Sequence, residues 1–174
     1  MTEGPLFGKI IMFALPLLLS GILQLLYNAA DIVVVGRFAQ NGQTALAAVG
    51  STGALTNLIV NLFIGLSVGT SVAVSHALGA RNDDDVHKLV HTSILTSLIG
   101  GVIVLLIGFT LARPLLLMMD TPETVIDYSV LYMRIIFLGM PAQMLYNYGA
   151  AILRAKGDTQ RPLYILALTG LVNV

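Results

Sequence analysis

Long apolar runs dominate this sequence, and each of the first four is long enough to cross a lipid bilayer. A spanning helix needs about 20 largely apolar residues, because it rises about 1.5 Å per residue through a hydrocarbon core of about 30 Å. Since a backbone in lipid must satisfy its own hydrogen bonds, these runs predict α-helices. The predicted spans are 10–36, 44–78, 89–111 and 125–153, with a partial span from 162.

The composition agrees with a membrane protein and excludes several other classes. Apolar residues make up 56% of the 174 residues and charged residues 10%, with a mean hydropathy of +0.88. The sequence contains no cysteine, which excludes disulfides and thiolate chemistry within it. Its net charge is zero and it has no basic run, so we expect no nucleic-acid partner. We predict an all-α, polytopic bundle of transmembrane helices.

Two features of the predicted helices concern their packing. The second span would be about 50 Å long as one helix, so it must tilt, break near Gly65–Gly69 or project beyond the bilayer. Small residues let membrane helices approach closely. The small residues expected at helix contacts are Gly50, Gly53 and Ala54, or Gly100, Gly101 and Gly108.

The basic residues predict the orientation of the chain. With the N-terminus in the cytoplasm, most of them fall on the cytoplasmic side, as the positive-inside rule requires. The cytoplasmic ones are then Lys9, Arg81, Lys88, Arg154, Lys156 and Arg161, and the external ones are Arg37 and Arg113. Arg134 lies within the fourth span, where we expect it to extend toward the interface or to pair with Asp127 or Asp120.

A single carboxylate, Asp31, lies inside the first span. A charge there costs about 3 kcal/mol or more, so it is a candidate functional residue. Four polar residues precede it at helical spacing, which places all five on one helix face. These four are Ser20, Gln24, Tyr27 and Asn28. We interpret this face as a cation or proton site, and the alternative is a structural carboxylate satisfied by neighbouring helices.

Two other groups of residues are candidates for a transport function. Pro16, in the same span as Asp31, removes a backbone hydrogen bond and acts either as a hinge or as a static kink. Gln143 and Asn147 continue a polar face in the fourth span with Tyr146. We expect Gln143 and Asn147 to line a cavity together with Ser20 and Gln24.

The sequence offers no catalytic set. It has no serine, threonine or histidine arrangement typical of nucleophilic catalysis and no glycine-rich phosphate loop. His87 and His91 share a helix face but lack a third ligand at metal spacing. We therefore expect a protein that is not an enzyme and has no resident metal or cofactor.

Segments along the whole sequence resemble, in the same order, the multidrug and toxic compound extrusion (MATE) transporters. The segments that carry the resemblance are LYNAAD at 26–31, VGR at 35–37, ALAAVG at 45–50, GT at 69–70, LGARN at 78–82, YMRI at 132–135, GMP at 139–141 and LRAKGDT at 153–159. His76 departs from the glutamine common at its position.

The resemblance implies a transporter of two six-helix lobes facing a central cavity, of which this chain would be most of the N-terminal lobe. It implies export of drug-like organic cations in exchange for Na⁺ or H⁺. Asp31 falls on the family's acidic position in the first helix, and Asn173 falls on a polar position of the fifth helix that joins this cation site. Asn28 and Tyr27, on the same face of the first helix as Asp31, are its other expected partners. Pro16 falls on the kink position of the same helix.

The predicted function is therefore multidrug efflux by an antiporter in a bacterial inner membrane. We expect small-molecule drugs and membrane lipids as partners and a monomer at full length. One alternative is a lipid-linked oligosaccharide flippase of the same superfamily, whose cavity should be strongly basic. Another is a membrane fragment without activity of its own, since the chain stops inside its fifth apolar run.

Overall fold

Five helices make up the part of the chain that the structure, a computed structural model, describes. It describes the backbone of residues 6–39 and 42–173 and the side chains of 7–39 and 42–171. The helices are α1 (Leu6–Phe38), α2 (Gly42–Gly79), α3 (Asp83–Met118), α4 (Glu123–Ala155) and α5 (Gln160–Asn173). Each of the first four is long and apolar enough to cross a membrane. The chain is therefore an all-α bundle, as the sequence predicts.

The helices contain the predicted spans and are longer than them. The second span lies within α2, a continuous helix of 38 residues, so of the three alternatives the break near Gly65–Gly69 is excluded. The third span lies within α3, which begins six residues earlier and passes through Pro114 to Met118. Hydropathy marks only the apolar part of a helix, and the polar residues of the first and last turns lie outside it.

Local side chains explain where the helices begin and end. Asn82 caps α3, because its side-chain oxygen accepts a hydrogen bond of 3.2 Å from the backbone N–H of Asp85. At the end of α4, Gly157 adopts a φ of 86°, which a residue without a Cβ tolerates. Its N–H donates to the Arg154 carbonyl at 2.9 Å and that of Asp158 to the Leu153 carbonyl at 3.0 Å.

The core lies where α4 packs against α3 and α2. Phe137, which is 2% exposed, fills the space that Gly108 leaves open, and a Cβ at Gly108 would overlap its ring. A Cβ at Gly101 would likewise overlap the backbone of Pro141. These contacts confirm the expected close approach at Gly101 and Gly108.

The two glycines of the other predicted set do not make such a contact within the described part. A Cβ at Gly50 or Gly53 would meet nothing within 4 Å. Polar contacts instead help to join α2 to α4, where the hydroxyls of Ser51 and Ser129 lie 3.0 Å apart. A hydrogen bond of this kind holds helices together in lipid, since water is not available to either hydroxyl.

The charged residues of α3 and α4 pair differently from the prediction. Asp127 forms an ion pair of 3.1 Å with Arg113, so it is not the partner of Arg134. The Arg134 guanidinium lies over the ring of Phe109, 4.8 Å from its centroid. An aromatic face attracts a cation without the desolvation of a second charge, which explains how Arg134 is accommodated within the span.

Helix α1 lies beside α2 and α5 and is the most exposed of the long helices. Pro16 is buried, whereas most of the large apolar side chains of α1 are exposed. The phenol of Tyr27 reaches α5, where its hydroxyl lies 3.4 Å from the carbonyl oxygens of Leu166 and Ala167. A Cβ at Gly170 would overlap the Tyr27 ring, so this glycine permits the contact.

Candidate functional site

A cavity of about 660 Å³ lies between α1, α2, α4 and α5, and we call it the four-helix cavity. Its apolar lining includes Val60, Met140 and Ile165. Its polar lining consists of Gln24, Tyr27 and Asn28 on α1, Thr56, Asn57 and Asn61 on α2, Gln143 and Tyr146 on α4, and Thr169 on α5. The mixture of apolar walls and a few polar groups is typical of sites for small organic molecules.

The polar groups of the four-helix cavity are amides and hydroxyls, and its described lining includes no charged side chain. A side-chain amide offers an accepting oxygen and a donating nitrogen, so it binds both cationic and neutral polar groups. Five of these side chains are amides, and they come from three helices. The cavity can therefore hold an organic cation through the oxygens of its side-chain amides and through apolar contact, without a fixed negative charge.

The structure brings four of the predicted site residues together. Gln24, Tyr27 and Asn28 of α1 face Gln143 of α4 across the four-helix cavity. The Tyr27 hydroxyl also reaches the α5 carbonyls, and that of Tyr146 donates to the Pro162 carbonyl at 3.2 Å. Both tyrosines thus link the cavity wall to α5.

Other predicted residues lie elsewhere. Ser20 donates its hydroxyl to the Pro16 carbonyl at 2.8 Å and is not part of the cavity lining. Asn147 is 7% exposed within α4, and its buried side-chain nitrogen has no hydrogen-bond partner among the described residues. Asn147 therefore faces the packed interior rather than the cavity. The side chain of Asn173 lies outside the described residues.

Asp31 lies beyond the lining of the four-helix cavity, one helical turn from Asn28 on the predicted external side. It interacts electrostatically with Tyr132 of α4. Tyr132 is itself one turn from Ile136, which lines the cavity. The Asp31 carboxylate and the Tyr132 phenol therefore lie about one helical turn outside the cavity, on α1 and on α4 respectively.

Helix α2 contributes to the cavity wall although no residue of it was predicted to do so. Thr56, Asn57 and Asn61 line the cavity from this helix, and Thr169 does so from α5. The spacing of Asn57 and Asn61 is the signal that was available, because two amides four residues apart share one face of an otherwise apolar helix. Membrane helices rarely expose such a face to lipid.

Comparison with known proteins decides the family. The MatE family model matches residues 16–174. The chain belongs to the MatE family. It is 35% identical over 163 residues to the probable multidrug resistance protein YoeA of Bacillus subtilis (strain 168), an alignment that covers 94% of this chain and 35% of YoeA. A FAD transporter of Shewanella oneidensis is 27% identical over 174 residues, which is 100% of this chain and 38% of that protein.

The MatE fold is also that of solved structures. The crystal structure of a MATE protein in complex with MaD3S matches with a TM-score of 0.83 and 28% identity, covering 93% of this chain and 36% of that one. The chain thus spans about a third of the length of the relatives that it matches. It belongs to a family of membrane transporters, and the relatives that it matches include proteins named for multidrug resistance.

Proposed function

We propose that the protein to which this chain belongs is a multidrug efflux antiporter that exports organic, often cationic compounds in exchange for Na⁺ or H⁺. The observation that carries this proposal is the four-helix cavity, which is large, amide-rich and without a charged side chain in its described lining. The family membership and the multidrug relatives support it. The protein would lie in a bacterial inner membrane with its N-terminus in the cytoplasm.

The two parts of the site would have different roles in this mechanism. The four-helix cavity would hold the drug through amide dipoles and apolar contact. Asp31, one turn outward, would hold the coupling ion, because a carboxylate in a medium of low dielectric constant strongly favours a bound cation or proton. Tyr27 and Asn28 line the cavity and precede Asp31 by four and three residues, so they would connect drug binding to ion binding.

The same cavity disfavours the flippase alternative. A lipid pyrophosphate needs basic side chains around it, and the described lining contains none. Arg134, the basic residue within the fourth span, lies over Phe109 instead. The same argument disfavours the flavin nucleotide carried by the Shewanella relative, since its phosphates are also anionic.

Transport into inverted membrane vesicles tests the proposal. A fluorescent organic cation should accumulate in response to an imposed Na⁺ or H⁺ gradient, whereas FAD should not. The variant Asn57→Leu removes one amide from the cavity wall and should raise KM for the cation more than it lowers kcat. The matched control is Thr110→Leu, a polar residue on the exposed face of α3. Gradient-driven transport of FAD without transport of cations would refute the proposal.

A further inference from the structure

A second cavity, of about 650 Å³, lies where the start of α1 meets the α4–α5 connection, and we call it the basic cavity. Lys9, Lys156 and Arg161 line it together with Asp158. Its described lining thus carries three positive charges and one negative charge. None of these residues lines the four-helix cavity, and the proposed transport mechanism does not use them.

The carboxylate in the basic cavity is already engaged by α5. Its Oδ1 atom accepts hydrogen bonds of 3.1 Å from the backbone N–H groups of Gln160 and Arg161. Its Oδ2 atom pairs with the Arg161 Nε at 3.0 Å. Asp158 therefore caps α5 and neutralises Arg161. Lys9 and Lys156 take part in none of the ion pairs that the described residues form, so their charges are available to a ligand.

Recognition in the basic cavity would come from side chains rather than from the backbone. The N–H groups of Lys156, Gly157 and Asp158 all donate to carbonyls at the end of α4. At the start of α5, the N–H groups of Gln160 and Arg161 already donate hydrogen bonds to the Asp158 carboxylate. An anion would therefore be held by the ammonium groups of Lys9 and Lys156, which come from two separate segments.

Apolar side chains extend from these cations toward the interior of the membrane. Met12 and Phe13 follow Lys9 by three and four residues, and Tyr164 follows Arg161 by three. At these offsets the side chains share a helix face with the cation and lie about one turn deeper. Met12 is 71% exposed and Tyr164 is 64% exposed, so both remain accessible. The cavity thus has a basic end and an apolar wall, which matches an amphipathic ligand.

We propose that the basic cavity binds the phosphate of an anionic phospholipid, with the acyl chains of the lipid lying along Met12 and Tyr164. The predicted orientation places this site at the cytoplasmic leaflet, where anionic lipids attract basic residues near the membrane surface. A free inorganic phosphate would satisfy the two lysines but would leave the apolar wall unused.

Lipid-dependent quenching in nanodiscs tests this site. The 174 residues lack cysteine, so once any cysteine outside them has been replaced, Met12→Cys in the full-length protein carries one fluorescent label. Brominated phosphatidylglycerol should quench it at lower mole fractions than brominated phosphatidylcholine. Lys9→Gln and Lys156→Gln should each reduce this preference about fivefold, the change that corresponds to about 1 kcal/mol per cation. Arg161 is left intact because it pairs with the α5 cap.

The control variant is Lys88→Gln, which removes an exposed cation from the same predicted face at a place outside the basic cavity. It should leave the preference unchanged, and an equal loss in this variant would refute the site in favour of general surface charge. Quenching without preference for phosphatidylglycerol would also refute it. Abolition of the preference by millimolar inorganic phosphate would identify a free-anion site instead. If Lys9→Gln does not yield a monodisperse protein, Lys156→Gln alone decides.

Discussion

The contact between Tyr27 and Gly170 predicts that Gly170→Ala will destabilise the junction of α1 and α5. The new Cβ would overlap the Tyr27 ring, and forcing extra atoms into a packed contact costs about 1–3 kcal/mol. Displacing the ring also breaks its hydroxyl contacts with two carbonyls, worth about 1 kcal/mol together because both are 3.4 Å long. Alanine regains about 1 kcal/mol of helix propensity. The expected net cost is about 1–3 kcal/mol.

A double-mutant cycle measures this cost as a loss of unfolding free energy. Unfolding of the purified protein in mixed micelles with increasing dodecyl sulfate, followed by circular dichroism, gives the free energy of each variant. In a Tyr27→Ala background the overlap is gone, so Gly170→Ala should be neutral or stabilising there. The matched control is Gly65→Ala, in a helix where a Cβ meets nothing within 4 Å. An equal effect of Gly170→Ala in both backgrounds would refute the packing argument.

Three further predictions concern mechanism and topology. Asp31→Asn should abolish ion-coupled efflux while expression stays normal, and gradient-driven uptake into inverted vesicles measures this. Unchanged coupling would show that the carboxylate is structural. Pro16→Ala should lower kcat for efflux more than it weakens drug binding if α1 bends during the cycle, whereas equal values to wild type would identify a static kink. A cysteine at Asn41 should react with an impermeant thiol reagent on intact cells and one at Asn82 should not, and the reverse pattern would overturn the predicted orientation.

Much of the fold was predictable because membrane helices follow from length and hydropathy alone. The first four spans lie within the first four helices, and the glycines at 101 and 108 lie at a helix contact as expected. The helix ends were not predictable in this way. Polar residues such as Asn82 and Asp158 determine them through hydrogen bonds that hydropathy does not register.

The cavity was predictable on α1 and at Gln143 of α4, but not on α2 and α5. Helical spacing placed Gln24, Tyr27 and Asn28 on one face, and the structure places that face on the cavity. Spacing does not say which neighbour a polar face meets. Asn147 lies one turn from Gln143 and yet is buried in the core, because the packing of α4 against its neighbours decides which of the two reaches the cavity.

The paired contacts between α3 and α4 have a mechanical consequence. Gly108 receives Phe137 and Gly101 receives the backbone of Pro141, at two points about 10 Å apart along α3. Two such points fix both the height and the rotation of one helix against the other. If α3 slid or rotated, the Phe137 ring would collide with the α3 backbone next to Gly108. We therefore expect α3 and α4 to move as one rigid unit. Any change of shape in this part of the protein must then be absorbed at the less extensive contacts that α1 and α5 make with their neighbours.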